Sequence, residues 1–290
     1  MPVLYSYTAM IPSLPPSTGP IGAFDSGYGG LTILDKIRGL MPEYDYIYLG
    51  DSARCPYGPR SFEVVYEFTL QAVSKLFELG CPLVILACNT ASAKALRTIQ
   101  QINLPVIDAT RRVLGVIRPT AECIGEITRS RHVGILATAG TIKSESYLLE
   151  IHKLSPDIVV TGEACPMWVS LVENNEYQSE GADYFVKQHI NRLLDKDPMI
   201  DTIILGCTHY PLLLDKIRQF TPGHIRIIAQ GEYVARSLQD YLNRHPEMDA
   251  RCEKGGKCRF LTTESENKFE ESASIFLGRQ DIKVESIALE

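Results

Sequence analysis

The sequence predicts an α/β chain built from two similar doubly wound halves with mainly parallel sheets. Three observations carry that expectation. Short β-rich runs alternate with segments of helical apolar period along most of the chain, the order that crossover-linked parallel strands impose. Pro82–Ala87 is a short unbroken apolar run, as a strand covered on both faces requires. The pattern also recurs. Ile21-Gly22-Ala23-Phe24-Asp25-Ser26-Gly27 returns in looser form at Val133–Ala139, 112 residues later, and Val84-Ile85-Leu86-Ala87-Cys88-Asn89-Thr90 returns as Ile203-Ile204-Leu205-Gly206-Cys207-Thr208-His209, 119 residues later. Such self-similarity marks a duplicated unit.

Taken in order, Gly19–Phe24 reads as the first strand, Asp25–Gly30 as a Gly-rich turn and Leu31–Met41 as a helix. Tyr44–Gly50 is a second strand, followed by the loop Asp51–Arg60. Ser61–Gly80 carries a helical apolar period through Phe62, Val65, Phe68, Val73 and Leu76. After the Pro82–Ala87 strand the helical pattern resumes over Asn89–Ile102. Beyond Arg226–Ile228, a last segment through Val234–Leu242 and Ile275–Leu277 is expected to return to the first half. The predicted division is therefore an extension over residues 1–19, a discontinuous first domain of 20–111 plus 226–290, and a second domain of 112–225.

Composition sets the outer bounds. The 290 residues suit about two domains, and 45% hydrophobic with 22% charged residues describes a chain that folds. Lys and Arg number 29 against 35 Asp and Glu, a net charge of −6. That acidic balance, without a basic stripe, argues against a nucleic-acid partner. The apolar runs Pro82–Cys88 and Thr202–Cys207 are far shorter than the roughly 20 residues of a membrane span, so no membrane role is expected. Met1–Pro20 contains no Lys, Arg, Asp or Glu, and it lacks the positive start and continuous apolar stretch of an export signal. A cytoplasmic location is the expectation that follows.

Eight cysteines stand at 55, 81, 88, 123, 165, 207, 252 and 258. None forms a CxxC pair and no His–Cys grouping has zinc-finger spacing. Cys252 and Cys258 flank Glu-Lys-Gly-Gly-Lys and read as loop thiols of a reducing compartment, with no metal expected. Cys88 and Cys207 differ by position. Each closes an apolar strand just before a polar pair and a helical segment, and ligands of open α/β sheets bind outside the carboxyl ends of strands. A helix start offers spare N–H groups and partial positive charge, which favour a thiolate.

Two such thiols facing one cleft suit a particular demand. Inverting a stereocentre needs a base on one face and an acid on the other, a task for two equivalent acid–base groups. An unperturbed thiol is mostly protonated at neutral pH, so neighbours must help. His209 is placed to serve Cys207, and Asp25 to assist the other side. The turn Asp25-Ser26-Gly27-Tyr28-Gly29-Gly30 is not a dinucleotide fingerprint, because Thr32 stands where the third glycine would fall. It reads as a small-anion cradle of backbone N–H groups and the Ser26 hydroxyl, while Arg54-Cys55-Pro56-Tyr57-Gly58-Pro59 is a rigid loop placed to close over a ligand.

Together these motifs resemble the glutamate racemases of the aspartate/glutamate racemase superfamily. The resemblance rests on Phe24-Asp25-Ser26-Gly27 with Gly29-Gly30-Leu31-Thr32, on Gly50-Asp51-Ser52-Ala53-Arg54 with Pro56-Tyr57-Gly58-Pro59, and on Ala87-Cys88-Asn89-Thr90-Ala91-Ser92. It continues through Thr141-Ile142 with Ser144 and Tyr147, Cys165-Pro166 with Leu171-Val172-Glu173, and Leu205-Gly206-Cys207-Thr208-His209-Tyr210-Pro211. It implies two flavodoxin/Rossmann-like domains with the active site in the interdomain cleft, in most cases as a homodimer. It also implies interconversion of L- and D-glutamate with no cofactor and no metal, supplying D-glutamate for peptidoglycan. Cys88 would serve the α-proton of the D-enantiomer and Cys207 that of the L-enantiomer. Asp25, Ser26, Tyr57, Gly58, Asn89, Thr90, Thr208 and His209 would hold the substrate, and Thr138, Thr141 and Glu173 match further site positions. The chain departs from the family pattern at Arg111-Arg112, at Met167-Trp168 and at Ala229-Gln230-Gly231, where an Asp-Ser-Gly is common.

Three other readings compete. An aspartate racemase would run the same chemistry on a shorter substrate, a thiol hydrolase would use Cys207 with His209, and a binding or regulatory protein would keep only the fold. The second matched cysteine argues against the hydrolase.

Overall fold

A computed structural model describes residues 18–278 and 282–289; most of the predicted 1–19 extension lies outside them. Among the described residues ten strands build two sheets: β1 (Ile21–Asp25), β2 (Tyr46–Gly50), β3 (Leu83–Leu86), β4 (Arg112–Gly115), β9 (Cys258–Thr262) and β10 (Val284–Ser286) form one, and β5 (His132–Ala137), β6 (Val159–Ala164), β7 (Thr202–Gly206) and β8 (Arg226–Ala229) the other. The strand orders are β10-β9-β2-β1-β3-β4 and β6-β5-β7-β8. Every pairing between these strands is parallel.

The repeat read in the sequence is a repeat of register. Gly22 pairs with Val84 and Phe24 with Leu86 in the first sheet, while Gly134 pairs with Ile203 and Leu136 with Leu205 in the second. These are the same positions under the two sequence offsets. The order β2-β1-β3-β4 is thus repeated as β6-β5-β7-β8, and β9 and β10 extend the first sheet beyond β2.

Strands buried on both faces explain the apolar runs. Along β3, Leu83 and Ile85 join one apolar cluster and Val84 and Leu86 the other. Ile203 and Leu205 of β7 face one cluster while Ile204 faces the opposite one. Side chains alternate across a strand, so each sheet is the middle of a helix–sheet–helix sandwich. The helix Leu31–Leu40 covers one face of the first sheet through Leu31, Ile33, Leu34 and Ile37, and Val234, Ala235, Leu238 and Leu242 of the helix Gly231–Arg244 pack into the same cluster. The helix Phe62–Glu78 covers the other face with Val65, Ala72, Val73 and Leu76; its first turn is capped by the Ser61 hydroxyl, which accepts from Val64 N–H at 3.3 Å.

Two local expectations need correction. The single helix predicted over Asn89–Ile102 is broken into a short helix Asn89–Lys94, a further turn Leu96–Thr98 and a wider π turn Ile99–Asn103. The sheets also move the predicted division points. Arg112–Gly115 pairs with β3 in the first sheet, and Arg226–Ala229 pairs with β7 in the second. The chain leaves the first sheet at Val116 and leaves the second at Gln230, about four residues later in each case than predicted. Each sheet takes one further short parallel strand on its free edge before the chain crosses.

The Met167-Trp168 departure is a packing feature. Trp168 is wholly buried, stacks edge-on with Tyr210 at 4.7 Å and donates from Nε1 to His189 Nδ1 at 3.1 Å. Trp168→Ala should lower the unfolding free energy by about 3–5 kcal/mol, measured by urea titration. A loss below 1 kcal/mol, roughly that of a surface change, would mean the second core does not depend on this ring.

Candidate active site

Parallel register brings the ends of β1, β3 and β7 to the carboxyl edges of their sheets, and each ends on or leads to a carboxyl or thiol side chain. β1 ends at Asp25, β3 leads through Ala87 to Cys88, and β7 leads to Cys207. All three residues are buried. Cys88 caps the helix Asn89–Lys94: its sulfur accepts from Ala91 N–H at 3.4 Å and its thiol donates to Ser26 Oγ at 3.5 Å. Burial pushes the Cys88 thiol up to about 12, Asp25 adds to the rise by repulsion, and the Ser26 and Ala91 contacts oppose it. Cys207 is also among the groups that raise it, which places the two sulfurs within electrostatic reach. A charged carboxylate beside a sulfur opposes the thiolate, so Asp25 in its ionised form works against ionisation of Cys88.

Cys207 has a different neighbour. Its Sγ lies 3.9 Å from His209 Nδ1, and His209 Nε2 meets Glu173 Oε1 at 2.9 Å. Burial works against charge on His209, but the Cys207 and Glu173 contacts outweigh it and hold the imidazole up to about 10. Burial likewise raises Glu173, and His209 more than reverses that, so its carboxyl sits below the ordinary range. At neutral pH the site holds an imidazolium–carboxylate pair. The same Glu173 oxygen accepts from the Cys55 thiol at 3.0 Å.

Asp25 joins the two sides. Its Oδ1 accepts from Gly27 N–H at 2.9 Å and its Oδ2 from the Thr208 hydroxyl at 3.4 Å. Burial raises its carboxyl above the usual value, while the His209 charge pulls it back. The two halves approach so closely here that glycine is required: a Cβ on Gly29 would lie 2.3 Å from Thr208 Oγ1 and 2.5 Å from His209 Nδ1. A second contact joins Gly140 N–H to Gly58 O at 3.1 Å, and a Cβ on Gly140 would fall 2.6 Å from that oxygen. Thr90 and Thr138 hydroxyls meet across the halves at 3.0 Å, and Thr138 meets Thr141 at 3.1 Å.

The structure thus links Cys88 to Ser26, Cys207 through His209 to Glu173, Asp25 to Thr208, and Thr90 to Thr138 and Thr141. Two expected ligand groups are occupied by protein. The buried Tyr57 hydroxyl donates to the Asp51 carboxylate, and the Asn89 amide is engaged by Gln230 and Tyr147. Cys55, which the sequence marks only as part of the rigid Arg-Cys-Pro-Tyr-Gly loop, sits on Glu173. Among the described residues no three His, Cys, Asp or Glu side chains gather as a metal would need, and no helix is long and apolar enough to cross a membrane. A separate cavity of about 630 Å³, lined among others by Arg97, Arg118, Glu122, Glu150 and Tyr241, lies away from the thiols.

Two parallel α/β sheets of repeated strand order, each leading at a strand end to a buried cysteine, fit the frame of a racemase superfamily, and comparison with known proteins agrees. Residues 32–238 match the family model described as Asp/Glu/Hydantoin racemase. The chain belongs to that family. Within it, the chain is 38% identical over 270 residues to a glutamate racemase of Ruegeria sp. strain TM1040, covering 90% of this chain and 97% of the relative. Among solved structures, the glutamate racemase isoform RacE1 of Bacillus anthracis superposes with a TM-score of 0.85 at 35% identity, covering 94% of this chain and 98% of that one. The glutamate racemase of Francisella tularensis, solved in complex with D-glutamate, gives 0.82 at 31% identity with the same coverage. The chain is an amino-acid racemase of the glutamate racemase group.

The buried imidazolium makes stability depend on pH. From the ordinary histidine value of 6.5 up to about 10, the folded chain keeps a proton on His209 that the unfolded chain has lost. The unfolded state then binds fewer protons, so stability falls as pH rises, by up to about 1.4 kcal/mol per pH unit. The stability is complete below 6.5 and lost on passing through about 10. Urea midpoints should decline between pH 6.5 and roughly 8.5, before unfolded thiols ionise, and His209→Asn should flatten that decline. An equal slope in both proteins would show that His209 is not held cationic.

Proposed function

We propose that the protein interconverts L- and D-glutamate without a cofactor, using Cys88 and Cys207 as opposed acid–base groups. The observation that carries this reading is the pair of thiols at matching register positions with unlike neighbours: Cys88 beside Ser26 and Asp25, Cys207 beside the His209 imidazolium.

Glutamate enters between the halves, its carboxylates met by the hydroxyls of Ser26, Thr90, Thr138 and Thr208 and by backbone N–H groups. A thiolate takes the α-proton, forming an S–H bond as the Cα–H electron pair stays on carbon. The opposite thiol gives its proton to the other face of that carbon and becomes the thiolate. Charge developing on the α-carbon and its carboxylate is met by fixed donors in a site from which water is excluded. Cys88 is a ready acid, and His209 lies beside Cys207 to hold or return its proton; the family resemblance assigns the α-proton of the L-enantiomer to Cys207 and that of the D-enantiomer to Cys88. Glu173 keeps His209 charged and oriented. Asp25, whose anion opposes a Cys88 thiolate, acts on the Thr208 hydroxyl and the Gly27 turn. The same reading makes the protein a cytoplasmic homodimer that supplies D-glutamate for peptidoglycan.

The test is the circular dichroism of L-glutamate incubated with the purified protein free of pyridoxal phosphate, repeated from D-glutamate and from aspartate. The expected result is decay to zero for both glutamate enantiomers and little for aspartate. Cys88→Ala and Cys207→Ala should each lower two-way racemisation by at least about a thousandfold, as loss of an essential acid or base does. Full two-way turnover in either variant would overturn the two-thiol assignment, and faster turnover of aspartate would overturn the substrate.

A further inference from the structure

The departure at Ala229-Gln230-Gly231 places a glutamine where the chain crosses back from the second sheet, and its side chain is 2% exposed. Its amide is fully engaged. Nε2 donates to Val116 O at 3.0 Å, to Tyr147 OH at 2.7 Å and to Thr120 Oγ1 at 3.2 Å, and Oε1 accepts from Asn89 Nδ2 at 2.8 Å. Tyr147 in turn donates to Asn89 Oδ1 at 2.7 Å. Gln230, Tyr147 and Asn89 therefore close a ring of three hydrogen bonds.

The ring has one direction. A backbone carbonyl can only accept, so Val116 O fixes which end of the Gln230 amide faces it. Oε1 must then face Asn89, the Asn89 amide must present its nitrogen, and its oxygen is left for the Tyr147 hydroxyl. Burial keeps Tyr147 protonated, since its phenol is raised well above the usual value. Val116 and Gln230 are themselves equivalent: Val116 follows β4 and Gln230 follows β8 at matching register positions. Both chain crossings are thus tied to the residue that follows Cys88.

We propose that Gln230 is a positioning residue that sets the acid–base geometry of Cys88 through Asn89. Held by Gln230 and Tyr147, Asn89 fixes the first turn of its helix, where the Cys88 sulfur takes the Ala91 N–H. Gln230 does not reach the thiol itself. This rests on the two-thiol racemase reading above.

The experiment uses Gln230→Leu, which keeps the volume and removes the amide, and Tyr147→Phe, which removes one hydroxyl from the ring. Because glutamate enantiomers have equal free energy, kcat/KM must fall equally in both directions in any variant. Primary deuterium isotope effects are not so bound. The expected result in both variants is a fall in kcat of about tenfold or more with a smaller change in KM. The isotope effect with α-deuterated D-glutamate, whose deuteron Cys88 removes, should rise relative to that with α-deuterated L-glutamate. A merely structural role would lower the thermal midpoint and leave the ratio of isotope effects as in the wild type, and that result overturns the proposal. If Gln230→Leu does not fold, Tyr147→Phe decides alone. Wild-type protein that does not racemise glutamate overturns the racemase reading and this proposal with it. An active wild type with an unchanged ratio in the variants overturns this proposal only.

Discussion

The buried cation at His209 is the charge on which the site depends. Asp25, fully buried, and Glu173, mostly buried, converge on it from different halves of the chain. An isolated carboxylate in such surroundings costs several kcal/mol. Glu173 is offset directly by a 2.9 Å contact, and Asp25 at longer range by the same charge together with Gly27 N–H. Removing the imidazolium would take the counter-charge from Glu173 and push the buried Asp25 carboxyl still further up. The close glycine contacts at Gly29 and Gly140 hold that boundary tightly enough for one charge to serve both.

The repeat explains why only one thiol has such a partner. Under the register match, Cys88 corresponds to Cys207, Asn89 to Thr208 and Thr90 to His209. The scaffold delivers two equivalent sulfurs, and the residue two positions on makes them unequal. Thr90 spends its hydroxyl on Thr138 across the boundary, whereas His209 brings a proton carrier to Cys207. The two sulfurs therefore stand in unlike surroundings although the scaffold places them at equivalent positions.

Much of this was legible in the sequence because it follows from local pattern. The apolar runs before Cys88 and Cys207 report strands buried on both faces, and their recurrence reports the duplicated sheet order. The thiols, Asp25 and His209 are visible because strand ends in parallel sheets are where such residues collect. What was not legible depends on contacts between distant segments. Cys55 carries no periodicity that would announce Glu173, which lies 118 residues away. The opposing effect of Asp25 on Cys88 arises from burial and distance, neither of which a motif records. The division points were displaced because β4 and β8 are only four residues long, too short to show a period of their own.

Gln230 shows how a departure from a family pattern can be read physically. Where a glutamine replaces smaller residues, its longer side chain spans both crossings and reaches the residue beside Cys88. An amide suits that place because it both donates and accepts, and Val116 O and Asn89 Nδ2 demand one of each. A carboxylate would set an anion against the Val116 carbonyl, and an alkyl chain would leave a buried carbonyl without its donor, at a cost of about 1–3 kcal/mol. Asn89 is the link that makes this local accounting matter for chemistry, because it is engaged with residues from beyond its own sheet and is covalently joined to the thiol.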